Sequence, residues 1–231
     1  DSEHFSLLNS NISNSNIQKI YITASGGPFF FKKKINLNNV TTEQVLKNPK
    51  WKMGINNSID SSNFINKILE LYELSSIFDI DIKKIDFLVS KEAYVHSIIV
   101  YKSGLVTLNC FNNDMLIPMI FPLTYFCDLK YKSPTKYLNT KNFKLDLFDD
   151  KRFKIYKKIS FLKKLDHHDQ IKFMLLNNIA QKKYLNNEIC YQDIINFIYK
   201  NLKKDKKKCK LRNFSDITNY IKNLKTYYEK I

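Results

Sequence analysis

The stretch that ends at Glu70 carries residue types that could bind both an anion and a cation. Asp60 and Ser61 are N-cap residue types, and apolar side chains recur behind them at roughly helical spacing, which predicts a helix beginning near Ser61. Free N–H groups in that first turn could bind a phosphate beside the hydroxyl. Asn66, Lys67 and Glu70 would then share one side of the helix. Taken alone, the pattern favours a simpler structure, a capped core helix with one ion pair.

Two acidic residues at the start of the sequence could supply hard oxygen ligands. Asp1 and Glu3 point to the same face if the backbone there is extended, as two ligands of one divalent cation need to. Two acids near a terminus prove nothing alone. The sequence opens without an initiator Met or a signal segment, so we expect it to be a fragment of a longer protein.

Two loops and one histidine could also take part in a site. A predicted strand over 17–23 runs into Ser25-Gly26-Gly27-Pro28-Phe29, where backbone amides and a hydroxyl could approach an anion closely. A plain tight turn is the simpler interpretation. Residues 48–54 predict a mobile loop that carries Trp51, and a lone Trp is usually a core residue. His96 begins a predicted strand and is either structural or catalytic.

Composition limits the classes of partner. The 231 residues are 44% hydrophobic, which suits one or two globular domains. The formal charge of +16 ordinarily suggests nucleic acid, but Lys is spread along the chain and AT-rich codon usage explains its abundance, so we predict no nucleic-acid partner. The longest apolar run, 115–127, is too short to cross a membrane, which predicts no membrane partner. Four cysteines without metal-ligand or disulfide spacing predict reduced thiols.

The element pattern predicts an α+β fold, with a small sheet packed on helices followed by a C-terminal helical bundle. Predicted strands, which are short and rich in β-branched residues, lie at 17–23, 85–89, 97–101 and 105–111. Predicted C-terminal helices lie near 153–165, 168–185, 191–203 and 214–230. We therefore predict a catalytic domain over 1–128, a linker over 129–150 and a helical bundle over 151–231.

The order of short motifs resembles that of the 1-deoxy-D-xylulose 5-phosphate reductoisomerase family. The matching blocks are Asp1-Ser2-Glu3-His4, Ser25-Gly26-Gly27-Pro28-Phe29, Pro49-x-Trp51-x-Met53-Gly54, Asp60-Ser61, Asn66-Lys67-x-x-Glu70, His96-Ser97 and Asp114-Met115-x-x-Pro118. The resemblance is strong over 1–125 and faint beyond, where only 177–193 has some family character. It implies the family's catalytic domain, linker and C-terminal domain, and places the N-terminal domain that holds most NADPH contacts ahead of Asp1.

The resemblance also implies roles for matching residues. Metal ligands for Mn²⁺ or Mg²⁺ would be Asp1, Glu3 and Glu70. The substrate, a small phosphorylated sugar, would be held chiefly at its phosphate by Ser25, Ser61, Asn66 and Lys67. Its reacting end would contact Ser2 and Glu3. Gly54 would touch NADPH. Further candidates at the catalytic site are Asn48, Trp51, His96 and Met115. The family resemblance further implies a homodimer and a plastid location, with a bacterial cytoplasm as the alternative.

Departures from the family pattern leave two hypotheses open. Asn48 stands where the family has a substrate-binding His, and Phe30, Asn56 and Leu116 replace two Arg and one Lys. The family's His-Pro-Gln-Ser is here 90–93, Ser-Lys-Glu-Ala. One hypothesis is a diverged, working enzyme that rearranges and reduces its substrate. The other is a catalytically inactive relative that binds a metal, a ligand or a partner.

Overall fold

The computed structural model describes four stretches of the chain, residues 1–47, 54–127, 142–204 and 211–228. Asn48, Trp51 and residues 129–141 of the predicted linker lie outside them. The chain divides into two compact units, which we call unit 1 (1–26 and 70–148) and unit 2 (27–69 and 149–231). Within the described stretches, no helix is both long and apolar enough to cross a membrane. The predicted division at 128 and 150 stays a prediction.

The described strands and helices have the following bounds. The strands are β1 Ile17–Ala24, β2 Ile85–Val89, β3 Val95–Tyr101, β4 Val106–Cys110 and β5 Asp146–Leu147. The helices are α1 Ser2–Leu7, α2 Thr42–Leu46, α3 Ile55–Asn63, α4 Ile65–Ile77, α5 Leu116–Cys127, α6 Ile159–Leu162, α7 His167–Leu185, α8 Asp193–Leu202 and α9 Phe214–Tyr228. The predicted α+β class and the four predicted strands are confirmed.

Unit 1 is built on one mixed sheet with strand order β4-β3-β1-β2-β5. β1 pairs with β2 in parallel, and the other neighbours are antiparallel. β1 places Ile17, Ile20 and Ile22 in the core, because β-branched side chains pack well on a pleated surface. The helix α1 packs on β3 and β4. Its Ser6 hydroxyl donates to Ser97 Oγ at 2.6 Å, which fixes the helix to the sheet.

The helix predicted to begin near Ser61 begins elsewhere, and that prediction is wrong. Phe64 has a left-handed backbone, with φ 67°, which separates α3 from α4. Ser61 therefore lies in the last turn of α3. The Asn63 side chain accepts from the Ile65 N–H at 2.9 Å and caps the start of α4. A left-handed Phe is rare, and only tertiary packing can hold it, because Cβ makes this conformation costly.

Three of the four predicted C-terminal helices are confirmed, and the first, near 153–165, is wrong. The chain there forms a 3-10 turn, Tyr156–Lys158, and only one turn of helix, α6. The backbone N–H of Phe153 donates to the Asp150 carbonyl, and the Asp150 carboxylate accepts from the Arg152 N–H at 3.1 Å. A side chain that captures nearby backbone N–H groups competes with helix formation.

Two buried carboxylates in unit 2 have opposite surroundings. Burial raises the pKa of Asp60 to about 6, and hydrogen bonds from the Asn177 and Gln181 amides oppose that rise. Burial also acts to raise the pKa of Asp150, but hydrogen bonds from Arg152 and Lys33 outweigh it and hold the pKa at about 2. Amides therefore hold one carboxylate and cations hold the other.

Gly27 lies where a side chain could not fit. Its φ is +56°, and a Cβ built on it would lie 3.1 Å from the Ser61 carbonyl oxygen and 3.2 Å from the Ser62 Cα. Gly104 also has a positive φ, +88°, but a Cβ there would meet nothing within 4 Å. The backbone of the turn at Gly27 thus contacts the backbone of α3 directly.

Asp60→Asn should remove a pH dependence of stability. Because the folded pKa is raised above the ordinary 3.8, the stability from protonation is fully present below pH 3.8 and is lost as the pH rises through about 6. In urea unfolding, we expect the free energy of unfolding of D60N relative to that of wild type to rise by about 2 kcal/mol between pH 4 and pH 7. Asn keeps the network, since a flipped Gln181 amide can accept from it.

Asp150→Asn is the matched control and should behave in the opposite way. The lowered pKa means that the stabilisation is present above pH 3.8 and is lost as the pH falls through about 2. D150N should therefore lose about 2 kcal/mol at pH 7. Parallel pH profiles for D60N and wild type would contradict the assignment of the raised pKa to Asp60.

Gly27→Ala should destabilise the chain more than Gly104→Ala does. Both substitutions place an L side chain at positive φ, which costs at least about 1 kcal/mol. Only the first also drives a Cβ against backbone atoms that cannot move cheaply. The difference between the two free energies of unfolding, measured in urea, reports the close approach to Ser61. Equal losses would show that the approach carries no energy.

Candidate active site

Three carboxylates converge in unit 1. Asp1 is the N-cap of α1, Glu3 lies in the first turn of that helix, and Glu70 lies on α4. One carboxylate oxygen from each lies within 4.8 Å of the others. The convergence predicted for these residues is confirmed. The condition of an extended backbone at 1–3 is not met, because residues 2–7 are helical, and the Asp1 side chain accepts from the His4 N–H at 3.0 Å.

The donor set fits a hard divalent cation. Glu3 and Glu70 are 8% and 3% exposed, whereas Asp1 is exposed. Like charges this close repel strongly when burial removes water, and a divalent cation offsets that repulsion. Carboxylate oxygens without Cys or His suit Mg²⁺ or Mn²⁺. The Ser2 hydroxyl donates to Glu3 Oε2 at 2.6 Å and fixes one of these oxygens.

Sequence reasoning gave no role to His4 or Glu73, which border the carboxylates. His4 Nδ1 lies 3.0 Å from Asp1 Oδ2 and 3.7 Å from Glu73 Oε2, and its Nε2 lies 3.4 Å from the Glu70 carbonyl oxygen. Burial lowers the pKa of His4, although the Glu70 carbonyl and the Glu73 charge act to raise it. The spacing of three residues from Asp1 to His4, and from Glu70 to Glu73, was the available signal.

The remaining predicted residues of unit 1 lie in different settings. Ser25 directly follows β1 and is half-buried. His96 is buried, its ring stacks on Phe111 with centroids 3.7 Å apart, and its Nε2 lies 3.2 Å from the Phe111 carbonyl oxygen. Those contacts support the structural role among the two that the sequence left open. Met115 precedes α5 and is 37% exposed.

Unit 2 carries the other predicted substrate and cofactor residues. Ser61 and Asn66 are half-buried, and Lys67 is buried. Through the approach of Gly27 to Ser61, two of the motif blocks meet at the backbone. Gly54 is the exposed N-cap of α3, has no side chain to occupy the helix start, and would meet nothing within 4 Å if it carried a Cβ. Asn48 and Trp51 lie outside the described residues.

Similarity to known proteins agrees with these features. Residues 1–78 match the family model of the 1-deoxy-D-xylulose 5-phosphate reductoisomerase C-terminal domain. The reductoisomerase of Pelagibacter ubique is 34% identical over 203 residues, which are 87% of this chain and 52% of that protein. The Clostridium novyi reductoisomerase is 35% identical over 223 residues, 95% of this chain and 57% of that protein.

Solved structures share the fold. A crystal structure of DOX-P reductoisomerase in complex with NADPH, fosmidomycin and magnesium matches 98% of this chain and 57% of its own, with a TM-score of 0.81 and 24% identity. The Zymomonas mobilis enzyme in complex with NADPH matches 98% of this chain and 59% of its own, with a TM-score of 0.81 and 23% identity. This chain belongs to the 1-deoxy-D-xylulose 5-phosphate reductoisomerase family and spans about half the length of the curated relatives it matches.

Proposed function

We propose that this chain supplies the metal-binding and substrate-binding parts of an enzyme that rearranges 1-deoxy-D-xylulose 5-phosphate and reduces it with NADPH to 2-C-methyl-D-erythritol 4-phosphate. The reaction belongs to non-mevalonate isoprenoid synthesis. One observation carries the proposal, namely that Asp1, Glu3 and Glu70 converge within 4.8 Å in a chain whose relatives bear this enzyme's name.

The three carboxylates would hold Mg²⁺ or Mn²⁺ and orient the reacting end of the substrate. When bound, the cation polarises the substrate ketone and its neighbouring hydroxyl, and NADPH supplies the hydride. Glu3 would contact the substrate as well as the metal, with its carboxylate held by the Ser2 hydroxyl. Magnesium in a structure of the same fold supports the hard-cation assignment, and Mn²⁺ is our extension of it.

By the family resemblance, Ser25, Ser61, Asn66 and Lys67 would hold the substrate phosphate. Lys67 offers a cation and Ser61 a hydroxyl, and both types of group stabilise a phosphate. The formal charge of +16 would attract a phosphorylated substrate over a longer range. Gly54 would let NADPH approach the backbone at the start of α3, because no side chain occupies that position. The family resemblance also assigns Asn48, Trp51 and Met115 to the catalytic site.

A homodimer is part of the proposal. Unit 1 exposes apolar side chains on α5 and on the edge strand β4, which unpaired would be a liability. These side chains, each 43–62% exposed, belong to Val106, Leu108, Leu116, Met119 and Leu123. A second copy would cover such a surface.

The domain division at 128 and 150 is a further part of this proposal. So is a plastid as the site of action, with a bacterial cytoplasm as the alternative.

Glu70→Gln should weaken Mn²⁺ binding at least about tenfold, because one of three anionic ligands becomes neutral. Isothermal titration calorimetry on residues 1–231 measures the loss. Glu73→Gln is a matched control, since it makes the same change one turn along α4 at a residue whose carboxylate groups with Asp1 and His4 instead. Unchanged Mn²⁺ affinity in E70Q, or an equal loss of affinity in E73Q, would contradict the assignment of the metal to Asp1, Glu3 and Glu70.

Residues 1–231 by themselves should bind Mn²⁺ without oxidising NADPH, whereas a longer protein of the relatives' length should turn over 1-deoxy-D-xylulose 5-phosphate. Of the cofactor contacts that the family resemblance implies, only Gly54 lies in this chain. Residues 1–231 should therefore bind the metal without transferring a hydride from NADPH. Absorbance at the NADPH band follows the reaction. Metal binding without turnover in the longer protein would favour the inactive relative, and turnover by residues 1–231 would overturn the domain assignment.

A further inference from the structure

The Arg152 guanidinium binds three backbone carbonyls in unit 2. Its Nη1 donates to the Lys32 carbonyl oxygen at 2.9 Å. Its Nη2 donates to the carbonyl oxygens of Phe30 at 3.1 Å and Phe29 at 3.3 Å. A guanidinium presents five donors in a rigid plane, so one side chain can hold several acceptors in a fixed arrangement. All three carbonyls belong to the segment that directly follows Gly27.

Asp150 fixes the orientation of that guanidinium. Arg152 Nε donates to Asp150 Oδ1 at 3.0 Å, and Nη2 donates to Oδ2 at 2.7 Å, which is a bidentate pair. Asp150 is 6% exposed, so its carboxylate is screened little by water. Lys33 also donates to Asp150 Oδ2, at 2.9 Å. Because Lys33 already supplies a cation, charge neutralisation alone does not explain why an arginine occupies position 152.

The backbone around Arg152 is held as well. Gln192 Nε2 donates to the Arg152 carbonyl oxygen at 2.6 Å, and Gln192 precedes α8. The neighbouring Phe153 ring packs edge-on against Phe64, with centroids 5.0 Å apart. The backbone from which the guanidinium extends is thus held by a hydrogen bond and a ring contact, and the guanidinium connects it to residues 29–32.

Those residues set where Gly27 lies against Ser61. A Cβ on Gly27 would lie 3.1 Å from the Ser61 carbonyl oxygen, so the turn and the last turn of α3 are in direct backbone contact. A small displacement of residues 29–32 would move Gly27 relative to Ser61, because only Pro28 lies between Gly27 and Phe29, the first residue whose carbonyl is held.

We propose that Arg152 is a positioning residue for the substrate phosphate, because its guanidinium fixes the carbonyls of residues 29, 30 and 32 and so holds the Gly27 backbone against Ser61. The proposal rests on the proposed function. Arg152 itself does not contact the reacting atoms. Lysine could not replace it, since a single ammonium cannot bind a carboxylate in bidentate fashion and three carbonyls together.

Arg152→Lys in a protein of the relatives' length tests the proposal. We expect KM for 1-deoxy-D-xylulose 5-phosphate to rise about tenfold with kcat nearly unchanged, because the phosphate is held equally before and during the reaction. Mn²⁺ affinity should stay at the wild-type value. Arg212→Lys, at the chain's only other arginine, is exposed and should leave both constants unchanged. A purely structural role for Arg152 would lower kcat through loss of folded enzyme and leave KM alone, which would overturn the proposal.

A binding measurement separates this proposal from the proposed function. Inorganic phosphate, titrated calorimetrically into residues 1–231, should bind R152K about tenfold more weakly than wild type or R212K. If R152K binds phosphate more weakly and the wild-type protein of the relatives' length shows no turnover, the proposed function is wrong and the positioning role stands. If R152K turns over substrate normally, with unchanged KM and unchanged phosphate affinity, the positioning role is wrong and the proposed function stands. Should R152K not fold, Asp150→Asn removes the anchor and keeps the guanidinium, and an unchanged KM there also overturns the proposal.

Discussion

The convergence of three carboxylates is the constraint that the contacts of α1 in unit 1 have to satisfy. Asp1, Glu3 and Glu70 come within 4.8 Å although two of them are buried, an arrangement that mutual repulsion opposes. The fold maintains it by fixing α1 to the sheet through Ser6 and Ser97. A short helix that packs only by its apolar side would leave Glu3 free to turn away from Glu70. The attraction of a bound hard cation for all three carboxylates would outweigh the repulsion between them.

In unit 2, hydrogen bonds of two buried carboxylates, Asp60 and Asp150, hold neighbouring segments in place. Asp60 on α3 accepts from Asn177 and Gln181 on α7, and burial raises its pKa to about 6 although these hydrogen bonds act to lower it. Asp150 is paired with Arg152 and Lys33 and titrates near 2. Hydrogen bonds within such buried networks hold their members in one geometry. Asp60 directly precedes Ser61, and the carbonyls held by Arg152 follow Gly27, whose backbone approaches Ser61.

The departures from the family pattern can be weighed against these contacts. Phe30 stands where the family has an arginine, and its ring packs in the core against Phe64 with centroids 5.9 Å apart. The Arg152 guanidinium binds the Phe30 carbonyl, so a cation still lies at this turn although the side chain at position 30 is apolar. A charged residue that is missing from one position of the sequence can therefore be matched, in the structure, by a cation that a distant residue brings to the same turn.

The sequence by itself determined four of the five described strands, the α+β class and three of the four predicted C-terminal helices, and its resemblance to the family indicated the three acids. Period-two patterns, helical periodicity and the order of motifs are local properties, so they survive in one dimension. Tertiary structure decided the left-handed Phe64 that moves the helix start away from Ser61, the helical conformation of residues 2–7, and the pairing of Arg152 with carbonyls 120 or more residues away. An isolated segment would seldom adopt the left-handed Phe64 or a six-residue helix, and it contains no partner for the Arg152 guanidinium. Only packing against distant parts of the chain outweighs the local cost, and spacing along the sequence does not record those distances.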